Sequence, residues 1–143
     1  PVSSHGLWSK VNPFENQEGS FDSAKGPVAI LTRASIRTSK LWRFWKHVPA
    51  TSDAIANAAG LIASIGIGEL PIVRQATLSF WENMEFAKKF AYENKVHTEV
   101  IKKTRLESWY KEELFARFMV IDAAGTWNGI EPLSNFIDAV DQK

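Results

Sequence analysis

His97 is the residue whose type and placement point most directly to chemistry. It is one of three histidines in the chain. Between Glu82 and Leu106 the apolar residues Phe86, Phe90, Val100 and Ile101 recur at helical spacing, which predicts one broad apolar stripe on a helix. His97 follows Phe90 by seven residues and precedes Ile101 by four, so it falls on that stripe rather than on the Lys/Glu face. An imidazole turned into an aromatic interior either holds a hydrogen-bond partner or serves as a ligand. The plain alternative is a satisfied core histidine. His47, in a Trp/Phe-rich segment beside Pro49, is the second candidate, and His5 lies in a loose leader.

Arg33 and Arg117 are each a cation on a stretch otherwise rich in apolar residues. Facing a cavity, a guanidinium would clamp carboxylates through its planar fork. The alternative is an ion pair with Glu69, Glu112 or Glu113, or a place at an exposed strand end. Trp81 shares strand parity with Gln75, Thr77 and Ser79, so it suits either a partly polar cavity or a plug at the rim of a sheet. Gly66 and Gly68 inside a strand suggest close approach of another backbone or a ligand. Glu112 and Glu113 are adjacent, and on a strand they face opposite sides and cannot act together on one bond. The GIG of Gly66–Gly68 is too short for a phosphate loop, and no nucleophile elbow, HExxH or Walker pattern occurs.

The elements that position these residues follow from periodicity and punctuation. Residues 1–25 carry Pro, Ser, Asn, Gly and Asp without period and read as an irregular leader, which Trp8 and Phe14 could pin to the body. No internal repeat stands out. Pro27–Ile36 is strand-like. Ser39 caps a helix that Pro49 should end, and a second short helix spans Ser52–Ala58. Leu61–Ile67 and Ile72–Trp81 are strands around a turn at Gly68–Pro71. The His97 helix follows, broken near Asn94, then a last strand at Glu113–Asp122. The tail from Gly125 is irregular, with a short helix near Leu133–Val140. The β-α-β-β-α-β order predicts an α+β, ferredoxin-like domain over residues 26–124, an antiparallel sheet with both helices on one face. Phe115, Met119 and Ile121 alternate with Ala116, Phe118 and Val120, so both faces of that sheet are apolar. The second face therefore needs a cover. A second sheet of the same kind, as in a dimeric α+β barrel, supplies it.

Composition bounds the function classes. The 143 residues are 45% hydrophobic and 23% charged, with a net charge of +1. That is one ordinary globular domain without the electrostatic footprint of a nucleic-acid binder. The absence of cysteine excludes disulfides, thiolate haem, iron–sulfur clusters and Cys-based zinc sites on this chain. No apolar run approaches the ~18 residues of a membrane span, and the expectation is a cytoplasmic protein, with a peripheral place on a membrane left open. Six tryptophans and nine phenylalanines suit a cavity for a flat or elongated apolar ligand, or simply a core. The start at Pro1 without Met suggests a processed or excised piece.

Several phrases carry a resemblance. GPVAILTRASIR at Gly26–Arg37, RFW at Arg43–Trp45, GIGELP at Gly66–Pro71 and TLSFW at Thr77–Trp81 precede the His97 helix. SWYKEELFARF at Ser108–Phe118 and GTWNG at Gly125–Gly129 follow it. Their order and spacing resemble the C-terminal half of the spheroidene monooxygenase family, the oxygenases of carotenoid biosynthesis, and GLWSKVNPF at Gly6–Phe14 resembles the segment leading into that half. The resemblance implies oxygen-dependent installation of a keto group on a carotenoid-type or other lipophilic polyene, with an electron donor and with haem as cofactor. It makes His97 the iron ligand, as imidazole is the natural protein ligand where no cysteine exists, with its other nitrogen oriented by a carbonyl or carboxylate. Arg33 and Arg117 would hold propionates or polarise bound oxygen, and Trp81 would line the cofactor. It also implies a partner for the open sheet face: a homodimer, or the N-terminal half that such proteins carry. A haem or hydrophobic-ligand binding protein without catalysis, on the same fold, is the competing reading, because function belongs to the site.

Overall fold

Val28–Ile36 is the strand on which the rest assembles, since its β-branched and small residues suit a strand paired on both sides. The computed structural model describes residues 1–17, 19, 26–70 and 72–137. The elements are β1 (Ser3–Gly6), β2 (Val28–Ile36), α1 (Leu41–Ala56), β3 (Leu61–Leu70), β4 (Arg74–Trp81), α2 (Met84–Glu93), α3 (Lys95–Leu106), β5 (Tyr110–Met119) and α4 (Ser134–Ile137). The sheet order is β1-β5-β2-β4-β3 and every pairing is antiparallel. Strands β2 to β5 with their intervening helices form the expected ferredoxin-like unit. Strand β1 is an addition: part of the leader expected to be irregular pairs with β5, Ser3 opposite Arg117 and Gly6 opposite Leu114. Short strands with no apolar alternation, such as SSHG, carry no period to read.

Directly opposed residues share a face. Val28, Trp81 and Met119 therefore lie together, followed by Ile30, Ser79 and Arg117, then Thr32, Thr77, Phe115 and Gly66. This is the helix-covered face. Met84 and Ala87 of α2 join Val28 and Trp81 in the buried core, with Ile55, Leu61, Phe86 and Phe90 packed around them. At the other end of the sheet, Phe44 of α1 meets the ring of Tyr110, which pairs with the buried Ile36 after a bulge. The opposite face carries Ala29, Leu31, Arg33, Ala116 and Phe118. The leader lies across part of it: Phe14 packs edge-on against Phe118, and Trp8 sits over Arg33.

Several boundaries differ from expectation: Ser39 lies in a 3-10 turn at Thr38–Lys40 and does not cap α1, the separate helix expected at Ser52–Ala58 is merged into α1, and β4 starts at Arg74 rather than Ile72. Helix α1 runs through Pro49 to Ala56 instead of stopping. The carbonyl that Pro49 leaves unpaired belongs to Trp45, and both residues are exposed, so water can take that place. Strand β3 extends through Gly68 to Leu70, and Pro71 lies outside the described residues. Strand β5 begins and ends three residues early, which leaves Ile121 78% exposed. The break at Asn94 is present: it separates α2 from α3, and its side chain accepts the His97 backbone N–H. Of the expected Leu133–Val140 helix, Ser134–Ile137 is helical and residues 138–140 lie outside the described residues. No described helix is long and apolar enough to cross a membrane.

Candidate functional site

Helix α3 begins with a local device that places His97. Asn94, in extended backbone, caps the helix by accepting the N–H of His97 at 3.0 Å, a cap of the kind that fixes a first turn. The side chain then turns back toward α2. Its Nδ1 lies 3.4 Å from the Ala91 carbonyl, and its ring centroid lies 4.8 Å from that of Phe90. Phe90 in turn sits 5.4 Å from Trp81, so three rings run from the sheet to α3. A carbonyl accepts only from an N–H, so the Ala91 contact selects the tautomer protonated at Nδ1 and leaves Nε2 with its lone pair. His97 is half-buried, and loss of hydration holds its pKa below the usual imidazole range, outweighing the Ala91 hydrogen bond. Burial thus favours the uncharged ring, and Nε2 has no hydrogen-bond partner among the described residues.

The centre of the helix-covered face is open. Val28 and Trp81 are buried at one end, and Ala34 and Ile36 at the other. Between them Thr32 is exposed on a central strand, and Ile30, Thr77, Phe115 and Arg117 are only half-buried. A Cβ built on Gly66, in the same row, meets nothing within 4 Å. The expected close approach at Gly66 is therefore replaced by open space, and Gly68 has only the Gln75 side chain near, at 3.7 Å. Arg117 belongs to this face. Its guanidinium lies 5.1 Å from the Phe115 ring centroid, and its buried Nε has no hydrogen-bond partner among the described residues.

Arg33 and Arg117 are not brought together. They sit on opposite faces, because Arg33 opposes Leu114 while Arg117 opposes Ile30, an odd offset along both strands. Arg33 is closed in on the face away from the helices. It donates to Glu69 and to Glu112, both at 2.7 Å, under the Trp8 ring. The Ser9 and Lys10 backbone N–H groups donate to the same Glu112 carboxylate at 2.8 Å each. The Lys10 N–H first, then those of Ser9 and the Arg33 guanidinium, hold the Glu112 carboxyl below its ordinary pKa. This is the ion-pair alternative named above, and it fastens the leader to the sheet. Trp81 is 2% exposed and donates its Nε1 proton to Ser79 Oγ at 3.0 Å; it underlies Phe90. His47 sits on α1 with Nδ1 2.8 Å from the Arg43 carbonyl, its ring against Trp109 and Nε2 3.5 Å from Lys103 Nζ. Sequence reasoning missed Thr32 and Phe115, which read as ordinary strand residues; Thr32, directly after the apolar run Val28–Leu31, was the available signal.

Comparison with known proteins now adds the family. The chain is 38% identical over 135 residues to the spheroidene monooxygenase of Rhodobacter capsulatus, covering 94% of this chain and 56% of that one. The Cereibacter sphaeroides spheroidene monooxygenase matches at 38% over 140 residues, covering 97% and 43%. This chain is a relative of the spheroidene monooxygenases. It spans about half the length of the curated relatives it matches. No protein-family model matches it. Among solved structures, a conserved protein from Methanosarcina mazei superposes with a TM-score of 0.57 at 11% identity, covering 68% of this chain and 95% of that one. SnoaB, a cofactor-independent oxygenase from Streptomyces nogalater, gives 0.54 at 12%, covering 68% and 96%. Such distant likeness shows the shared α+β fold.

Proposed function

We propose that this chain carries the cofactor-bearing half of a haem-dependent monooxygenase that installs a keto group on a carotenoid-type or other lipophilic polyene. The observation that carries the reading is His97: a half-buried imidazole whose Nδ1 is oriented by the Ala91 carbonyl, whose burial disfavours the charged form, and whose Nε2 has no partner among the described residues. An orienting carbonyl on the non-ligating nitrogen is the usual companion of a histidine ligand. A haem would be held through one protein side chain, and His97 is the residue that would supply it. The donor set fits haem.

Bound haem would supply oxygen activation and electron transfer. The chain's own residues do the rest. Phe90 and Trp81 back the His97 ring and fix its plane. Arg117, with a buried unpaired N–H, offers a positive donor on the open face for a carboxylate or a polarised oxygen. Ile30, Thr32, Thr77 and Phe115 give that face an apolar surface with two hydroxyls, suited to an elongated hydrocarbon. Converting a CH2 group to C=O consumes two O2 with four electrons and four protons and releases three waters, so a reductant of the ferredoxin or flavoprotein class is required. A cytoplasmic protein working at a membrane surface, where such polyenes dissolve, fits this substrate class.

The test is oxidation of an acyclic carotenoid by the haem-loaded protein with a chemical reductant under 18O2. A keto product labelled from 18O2 is expected, and Arg117→Met should slow it by about 10²-fold, as loss of one charged donor does. Haem bound tightly without any oxygenated product would favour the binding-protein reading.

A further inference from the structure

The two ends of the domain carry the same device. Residues 6–14 read G-L-W-S-K-V-N-P-F and residues 125–133 read G-T-W-N-G-I-E-P-L. Glycine, tryptophan and proline coincide, and valine faces isoleucine and phenylalanine faces leucine. With so few identities, sequence spacing alone hides the repeat; the backbone reveals it. Gly6 and Gly125 both have positive φ, at 90° and 107°. Trp8 bridges to Val11, and Trp127 bridges to Ile130. In each bridge the tryptophan N–H donates at 2.6 Å, to the carbonyl of Val11 or of Ile130. The two central residues are left-handed in both, Ser9 at 53° and Lys10 at 72°, Asn128 at 52° and Gly129 at 78°. That pair of positive angles is the type I′ turn, unfavourable for Ser and Lys and natural for Asn-Gly. A strained turn at Ser9–Lys10 persists because its N–H groups are taken by Glu112.

The first device is seated. Its preceding strand β1 adds to the edge of β5, and at Gly6 a Cβ would run into the Glu113 carbonyl. Trp8 covers the Arg33 guanidinium and Phe14 meets Phe118. The second device is not. The residues that align with β1, Asp122–Gly125, have no strand partner among the described residues, and 121–131 are all exposed. Ile121 is 78%, Ile130 68% and Trp127 43% exposed. The segment's contacts with the chain's own body are at its ends and along β3: Val120 donates its N–H to the Pro27 carbonyl at 3.1 Å, Leu133 is 7% exposed, and Trp127 and Ile130 border an open cavity beside Leu61–Ser64 without adding a strand there. One sheet edge with one buried arginine can seat one arm, and this chain displays two.

We propose that residues 120–133 are a second copy of the 1–14 arm, and that they dock on a second βαββαβ unit built like this one. They would add a strand to the edge of that unit's last strand and lay Trp127 over its buried cation. The exchange is reciprocal: the arm seated here is the form the free arm takes on its partner. The curated relatives are about twice this chain's length, room for one further unit of this size. Main-chain pairing gives such strand addition its affinity, and the tryptophan gives it register.

The test uses the whole chain, whose lack of cysteine and single-arm seat make substitution clean. In one variant the first fourteen residues are replaced by VIDAAGTWNGIEPL; in a control they are replaced by a scramble of that sequence. Equivalence of the arms predicts that the exchanged chain melts close to the parent and well above the scramble. In parallel, a fluorescent peptide of residues 120–133 is titrated against the parent and against Trp8→Ala with Phe14→Ala. Binding at least about tenfold tighter to the double variant is expected, because the parent's tethered arm competes at millimolar effective concentration. An exchanged chain that melts with the scramble overturns the proposal. So does a peptide that binds a folded double variant no better than its scrambled counterpart. Should the double variant not fold, the exchanged chain alone decides.

Discussion

His97 and Arg33 show how the same question, partner or ligand, receives opposite answers at a half-buried and a buried polar residue. Arg33 spends its charge on Glu69 and Glu112. Arg33 is buried while the Glu69 and Glu112 side chains stay 31% and 17% exposed, so water can take over the carboxylates and Arg33→Ala should destabilise the chain by about 1.5–3 kcal/mol, the worth of charged hydrogen bonds, read as a shift of the urea midpoint at unchanged slope. His97 keeps one nitrogen free. Its lowered pKa means that the folded state binds fewer protons than the unfolded state does below the ordinary histidine value of 6.5. Stability linked to His97 is therefore present above pH 6.5 and declines as pH falls below it. The His97→Phe variant should lose that portion of the pH dependence in denaturant titrations between pH 7 and 5; an unchanged profile would show that His97 is not the group titrating.

At the scale of elements, capping and the added arm decide where side chains end up. Asn94→Ala should cost about 1 kcal/mol, the ordinary worth of an N-cap, and should broaden the His97 ring resonances more than Asn83→Ala, which uncaps α2 at Glu85 and Phe86. The Lys10 and Ser9 N–H groups and the Arg33 guanidinium hold the Glu112 carboxyl below the ordinary glutamate pKa of 4.5. The stability it gives the arm is full above pH 4.5 and is lost as pH falls through the lower folded value. The emission of Trp8 should thus report release of the arm below about pH 4.5, ahead of global unfolding by circular dichroism; simultaneous loss would contradict a separately fastened arm. The order of strands and helices was legible because VAILTRASI, the paired Leu61–Trp81 strands and the His97 helix have clean periods. The arm was not, because SSHG has no period and its strand exists only through β5. The placement of Arg33 was equally hidden, since its partners Glu69 and Glu112 lie 36 and 79 residues away in sequence. The broken helix at Asn94 was readable from local chemistry alone.

For the whole molecule, the face away from the helices decides assembly. The arm covers its β5 side, while Ile67 and Leu70 at the β3 end remain 41% and 50% exposed. Each large side chain of this kind gains roughly 1.5–3 kcal/mol on full burial, and such patches seldom stay bare in water. We expect the 143-residue chain to self-associate through this face, with sedimentation velocity at micromolar concentration showing a dimer; a compact 16.1 kDa monomer throughout would remove that expectation.

The central proposal, that His97 would hold a haem, is tested most directly by the visible spectrum of the haem-titrated chain and its His97→Ala variant. A Soret band at one haem per chain is expected in the parent, and its loss or a clear shift in the variant, with far-UV circular dichroism unchanged and imidazole in solution restoring the parent spectrum. A variant that binds haem with the parent's spectrum would contradict the assignment and turn attention to His47; a parent with no Soret band at all would contradict the haem itself.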